Sequence, residues 1–87
     1  MSSMRAYAVF INEQALAAAP RSGTQRESVM KFIRSLADNP KTIGDFTEKD
    51  NTGRLIQVKV IGRYAVTFWA DHAVSEIKVT HIKSADT

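Results

Sequence analysis

The side chains of this chain that can do chemistry crowd into its second half. The run RLIQVKVIGRYAVTFWAD, residues 54 to 71, carries Arg54, Lys59 and Arg63 and no acidic residue until Asp71. The sole tryptophan, Trp69, lies near its end, and His81 and Lys83 follow. Cations interleaved with hydrogen-bonding side chains and a large aromatic ring compose a contact surface for nucleic acid or protein, through stacking or anchor burial. Arg54, Gln57, Lys59, Arg63, Thr67 and Trp69 are therefore the candidate binding surface. The two histidines, His72 and His81, have no cysteine or second histidine at ligand spacing, and the chain has no cysteine at all. Disulfide frameworks and thiolate chemistry are excluded, and neither a metal nor a cofactor is expected.

Those residues sit in a chain of 87 residues, 44% apolar and 24% charged, with a formal charge of +3. Chains this short seldom support two cores, so residues 1–87 read as a single domain, with 1–4 and 84–87 as flexible ends. No apolar run approaches the roughly 18 residues that span a bilayer. The opening MSSMRAYAVF lacks the pattern of a signal peptide, which points to a cytoplasmic protein, and Met4 offers an alternative start to Met1. The mildly basic balance permits an anionic partner.

Stepping along the chain, RAYAVFI alternates Tyr7, Val9 and Ile11 against Ala6, Ala8 and Phe10, which predicts a first strand, apolar and covered on both faces. Asn12 caps a short alanine-rich helix that Pro20 ends. Thr24 and Glu27 have the spacing of a capping box, and Val29, Phe32, Ile33, Leu36 and Ala37 form one apolar stripe behind it, so a helix is expected from about Thr24 to Asp38. A short edge strand is expected at Asp45 to Glu48. Three strands follow, at about 54–60, 64–70 and 75–82, with reversals at Gly62 and at Asp71 to Ala73. The fold class is α+β: an N-terminal strand, a helical hairpin, then a three-stranded antiparallel meander, with the helices on one face of the sheet.

Pairing the hairpin so that its apolar sets coincide implies a three-residue connection, Ile61-Gly62-Arg63. Val60 then lies opposite Tyr64, Val58 opposite Val66 and Ile56 opposite Phe68, all facing the helices. Lys59, Ala65, Gln57, Thr67 and Trp69 fall on the open face. Alternation in the last strand puts His81 with Ile77 and Val79. Cations on an open sheet face also keep it soluble and block edge pairing, which accounts for Lys59, Arg63 and Lys78 as well as a binding role does. Trp69 is either a contact residue or covered by the C-terminal segment.

The first strand, the helical hairpin ending LADNP, the basic strand, GRYAVTFWAD and IKVTHIKSAD together resemble the RelE/ParE superfamily of toxins from bacterial type II toxin–antitoxin pairs. The likeness runs from Arg5 to Asp86. It implies a growth-inhibiting toxin of the kind linked to plasmid stabilisation, held in check by a cognate antitoxin, with the ribosome and its message or DNA gyrase as target. In message-cleaving members cations stand on the open sheet face; Lys59 matches one such slot, and Tyr64 matches the tyrosine of a tyrosine-arginine pair. The arginine slot holds Ala65, and the terminal slots fall at Ser84, Ala85 and Asp86.

Cleavage through a ribose 2′-hydroxyl needs a base, an acid and cations for the extra phosphate charge. Ala65 supplies none of these. Lys59, Arg63, His81 and Lys83 are the remaining catalytic candidates, and histidine is the only one of these types that exchanges protons near neutrality. The favoured reading is a toxin that binds and blocks its target, as ParE-like proteins do. The alternatives are a RelE-like ribosome-dependent endoribonuclease, or a decayed member that retains only a binding role.

Overall fold

The structure, a computed structural model, describes residues 6–85. Met1, Met4, Arg5 and Asp86, which figured in the reading of the chain ends, lie outside the described residues. The elements in order are β1 (Ala8–Ile11), α1 (Glu13–Ala18), α2 (Gly23–Ser35), β2 (Phe46–Lys49), β3 (Leu55–Ile61), β4 (Tyr64–Asp71) and β5 (Glu76–Ser84). They form the expected α+β arrangement, with one five-stranded sheet in the order β1-β5-β4-β3-β2. β1 runs parallel to β5 and every other pairing is antiparallel. Among the described residues no helix is long and apolar enough to cross a membrane.

Local chemistry explains where the helices start. Asn12 caps α1 as expected, its Oδ1 accepting from the N–H groups of Gln14 at 2.8 Å and Ala15 at 3.3 Å. The capping box at Thr24 does not set the start of α2. The helix opens at Gly23, Ser22 is the cap residue without a side-chain cap bond, and Thr24 sits inside the first turn. The entry is held instead by Arg26, whose Nη1 donates to the Pro20 carbonyl at 2.8 Å.

The apolar stripe of α2 does what its spacing requires. Val29, Ile33 and Leu36 are buried against Val66 and Phe68 of β4 and Ile77, Val79 and Ile82 of β5, with Ala15 and Ala19 closing one side. Phe32 meets Phe68 edge to face, ring centroids 5.7 Å apart. This is a single core.

Several further sequence expectations change. The β3–β4 connection has two residues, Gly62 and Arg63, so Ile61 rather than Val60 lies opposite Tyr64. Gly62 has φ +60°, which the first position of a two-residue type II′ hairpin demands and glycine alone adopts without strain. Gln25 of α2 grips that turn from both sides: its Nε2 donates to the Ile61 carbonyl at 3.1 Å and its Oε1 accepts from the Arg63 N–H at 3.1 Å. With side chains alternating, the one-residue difference turns every β3 residue over. Lys59 now lies opposite Val66 and Gln57 opposite Phe68, on the helix side, while Val58 and Val60 lie opposite Thr67 and Ala65 on the open side.

The second change is a bulge in β5. Thr67 lies opposite His81 but Phe68 opposite Val79, so Thr80 is the extra residue. It moves Ile82 into the core and His81 onto the open face, where unbroken alternation had placed them the other way round. Third, β1 is an edge strand, and Phe10 is 49% exposed rather than covered. At the other edge β2 begins at Phe46, one residue later than expected. β5 continues through Ser84, opposite Tyr64, and the Ala85 N–H donates to the Arg63 carbonyl at 2.7 Å, so the strand runs into the segment read as a flexible end.

Asp45 completes the β2 edge. The β2–β3 ladder extends only as far as Phe46 opposite Val58, and the Val60 N–H beyond it donates to Asp45 Oδ2 at 2.8 Å. Lys59 Nζ lies 3.5 Å from the other oxygen. The backbone bond from Val60, then the Lys59 charge, hold the Asp45 carboxyl below its ordinary range. A carboxyl whose folded pKa is lowered contributes stability above its unfolded pKa of about 3.9 and loses it as pH falls through the folded value. The denaturation midpoint should therefore fall below about pH 4, and Asp45→Asn should flatten that fall relative to the unaltered protein. Leu36, fully buried, gives the packing test: Leu36→Ala should cost about 2–5 kcal/mol in urea unfolding, against at most about 0.5 kcal/mol for substitution of an exposed residue such as Lys31.

Candidate functional site

Among the described residues, no element covers the face of the sheet away from the helices. Its centre is apolar: Val58 and Val60 of β3 and Ala65 and Thr67 of β4, joined by Phe46, which is 60% exposed on β2. Charge lies around this centre, with Glu48, Asp50 and Arg54 at one end and His81 and Lys83 on β5. These charged residues, with Val58, Ala65, Thr67 and Trp69, line a shallow concavity of about 550 Å³.

A turn that the sequence reading passed over sets the position of Arg54. Asp50 Oδ1 accepts from the Thr52 hydroxyl at 2.7 Å, the Thr52 N–H at 2.9 Å and the Arg54 N–H at 3.0 Å. These bonds, the Thr52 hydroxyl foremost, lower the Asp50 carboxyl from its ordinary range. Asp50 Oδ2 lies 3.5 Å from Arg54 Nη1, and the Arg54 guanidinium lies 3.9 Å from the centre of the Trp69 ring. Lys78, ion-paired with Glu76 at 3.3 Å, approaches the same ring at 5.5 Å. Trp69 is thus held by two cations.

The structure divides the sequence candidates. Arg54, Thr67, Trp69, His81 and Lys83 share the open face. Gln57 and Lys59 do not: Gln57 Oε1 accepts from the Gly44 N–H at 2.8 Å and the Thr47 hydroxyl at 2.9 Å, and Lys59 is paired with Asp45. Arg63 belongs to the turn. Tyr64, opposite Ile61 and packed against the core, lies on the covered side as well. Glu48, Asp50 and Val58 were missed. For the two acids, the DNTG turn signal between β2 and β3 was the available clue; for Val58, only the register is.

The chemistry available follows from spacing. On β5, His81 faces Thr67 and Lys83 faces Ala65. Glu48 stands on β2, three strand spacings from β5, so its backbone is about 14 Å or more from that of His81. His81 Nδ1 lies 3.0 Å from the Thr80 hydroxyl, a neighbour that orients the ring without being an acid or a base near neutrality. The face offers cations, one imidazole and an aromatic wall around an apolar floor. Among the described residues no cluster of three or more His, Cys, Asp or Glu could hold a metal ion.

The order of helices and strands is that of the RelE fold, which two solved structures share. The archaeal RelE–RelB complex from Pyrococcus horikoshii OT3 contains a chain that superposes with TM-score 0.75 at 16% identity, over 93% of this chain and 97% of that one. The E. coli toxin RelE, a double arginine-to-alanine mutant in the free state, superposes with TM-score 0.61 at 16% identity, over 93% and 85% of the two chains. No family model and no curated sequence matches the chain, so the likeness is one of structure.

Ala65 reports on the electrostatics of this face because it lies directly opposite Lys83. Like charges facing each other across strands destabilise, and opposite charges contribute roughly 0.2–1 kcal/mol. Ala65→Arg should fold yet lower the denaturation midpoint, and Ala65→Glu should raise it. The difference between the two should shrink in high salt.

Proposed function

We propose that this protein is the toxin of a toxin–antitoxin pair and acts by binding and blocking a macromolecular target with its open sheet face. The observation that carries this reading is the composition of that face. An apolar floor, a tryptophan gripped by Arg54 and Lys78, and peripheral cations make a binding surface. Ala65 occupies the centre, where a cleaving enzyme of this fold would place a phosphate-facing cation, and among the described residues no acid is paired with His81. The RelE toxins of like fold supply the prior for the toxin role, and the RelE–RelB complex supplies that for an antitoxin partner. Gyrase and the translating ribosome are the two target classes.

One observation favours a second reading, the ribosome-dependent endoribonuclease. The β5 bulge brings His81 onto the open face beside Lys83, and an imidazole with a neighbouring ammonium is a minimal set for proton transfer and phosphate stabilisation. Of the other two candidates, Lys59 is paired with Asp45 and Arg63 lies in the β3–β4 turn.

The experiment is induced expression with two readouts, growth and primer extension on translated messages. Growth should arrest, messages should stay intact, and Trp69→Ala should relieve the arrest while Lys59→Ala leaves it in place. Site-specific cuts abolished by His81→Ala would replace this reading with the nuclease. Absence of both arrest and cuts would leave a decayed member.

A further inference from the structure

The two edges of the sheet are finished differently. β2, at one edge, carries Glu48 and Lys49, charges that discourage another strand from pairing with it. β1, at the other, reads Ala-Val-Phe-Ile and has no charge, proline or bulge. In its parallel ladder Ala8, Phe10 and Asn12 bond toward β5. The Ala8 N–H donates to the Ser75 carbonyl at 3.0 Å, and the Asn12 N–H to the Val79 carbonyl at 2.8 Å. The N–H and C=O groups of Val9 and Ile11 therefore point outward, and among the described residues nothing takes them. This free stretch is bounded. Before it, the Tyr7 N–H already donates to the Ala37 carbonyl at 2.9 Å; after it, Asn12 turns the chain into α1. Phe10 is the midpoint, and it stands 49% exposed.

A stretch bounded in this way fits a second copy of itself. Antiparallel pairing about a two-fold axis at Phe10 sets Val9 opposite the partner's Ile11, and each such pair exchanges both backbone bonds. Ala8 then lies opposite the partner's Asn12, so the pairing ends where the free stretch ends. Phe10 meets its own counterpart in the non-hydrogen-bonded position, where side chains come closest. Val9 and Ile11, half-buried beside the core, gain cover from each other. Lys78, whose Nζ lies 5.9 Å from the centre of the Phe10 ring, is paired with Glu76 at 3.3 Å, so its charge is balanced at the seam. We propose that this protein associates with a second copy of itself through the β1 edges, joining the two sheets into one. A two-fold axis at right angles to the sheet keeps both open faces on the same side, so the dimer presents two Trp69 surfaces to one target. So short a seam buries well under the roughly 1,200 Å² of a stable interface, and the dimer therefore forms at high concentration and comes apart on dilution.

The chain has no cysteine, so a single introduced cysteine can link only to its counterpart in a second copy. Phe10→Cys should oxidise to a linked dimer, because Cα atoms in a non-hydrogen-bonded antiparallel pair lie about 4.5 Å apart, within disulfide reach. Ala8→Cys should stay monomeric under the same oxidant, since in this register the two copies of residue 8 lie about 13 Å or more apart. Sedimentation equilibrium of the unaltered protein should show dimer at about 100 µM that dissociates by about 1 µM. Val9→Pro removes an outward N–H and no bond to β5, and should weaken association about tenfold or more. If Val9→Pro does not fold, the cysteine pair decides alone. Amide hydrogen exchange at Val9 and Ile11 should slow as protein concentration rises. A monomer at every concentration, no link at position 10, equal linking at positions 8 and 10, or a dimer indifferent to Val9→Pro would each overturn the proposal. So would protection of the Val9 and Ile11 amides that appears only when a different co-expressed protein is added, which would give the edge to that protein.

Discussion

Gln25 holds the two-residue turn between β3 and β4, and the character of both sheet faces follows from that grip. Gly62 permits the tight reversal, and a side chain there would run into Gln25, with a Cβ only 2.5 Å from its Oε1. The carboxamide fills the space that glycine leaves and bonds the backbone on both sides of the turn. Because side chains alternate with a period of two, this local geometry sets the exposure of every residue along β3. Ile61 joins the core, Lys59 and Gln57 become structural, and Val58 and Val60 are turned out to form the floor of the concave face.

The polar groups of the hairpin then divide into two kinds. Some complete backbone hydrogen bonding where ladders run out. Asp45 takes the Val60 N–H beyond the end of the β2–β3 ladder, Gln57 takes the Gly44 N–H, and Asp50 closes its own turn. Others are held outward for contact. Arg54 belongs to both kinds, since the Asp50 turn that satisfies its backbone also lays its guanidinium over Trp69. A cation stacked on an aromatic ring covers part of its apolar surface, which suits a half-buried tryptophan in the free protein.

That arrangement makes Trp69 a partition between two hollows of unlike character. The open-face hollow has a dispersed set of charges around an apolar floor, and the hollow behind it presents aliphatic side chains at the end of the sheet. A ligand in either meets Arg54.

The sequence by itself determined the elements and the α2 and β4 parts of the core. The stripe from Val29 to Leu36, the Asn12 cap, the break at Pro20 and the alternating strands all act through near neighbours, and each produced the element expected. It determined too which residue types were available for chemistry, and that an alanine stood at position 65. Only the tertiary structure decided which side chains meet. Both wrong facings, of Lys59 and of His81, came from counting alternation through a place where the chain slips by one residue. At Gly62 the turn length was decided by Gln25, 36 residues from the Ile61 carbonyl it binds. At Thr80 the bulge lets Ile82 reach the core while β1 and β4 both keep their pairing with Val79. A period-two pattern is blind to a one-residue slip, because the energy that settles it comes from contacts distant along the chain.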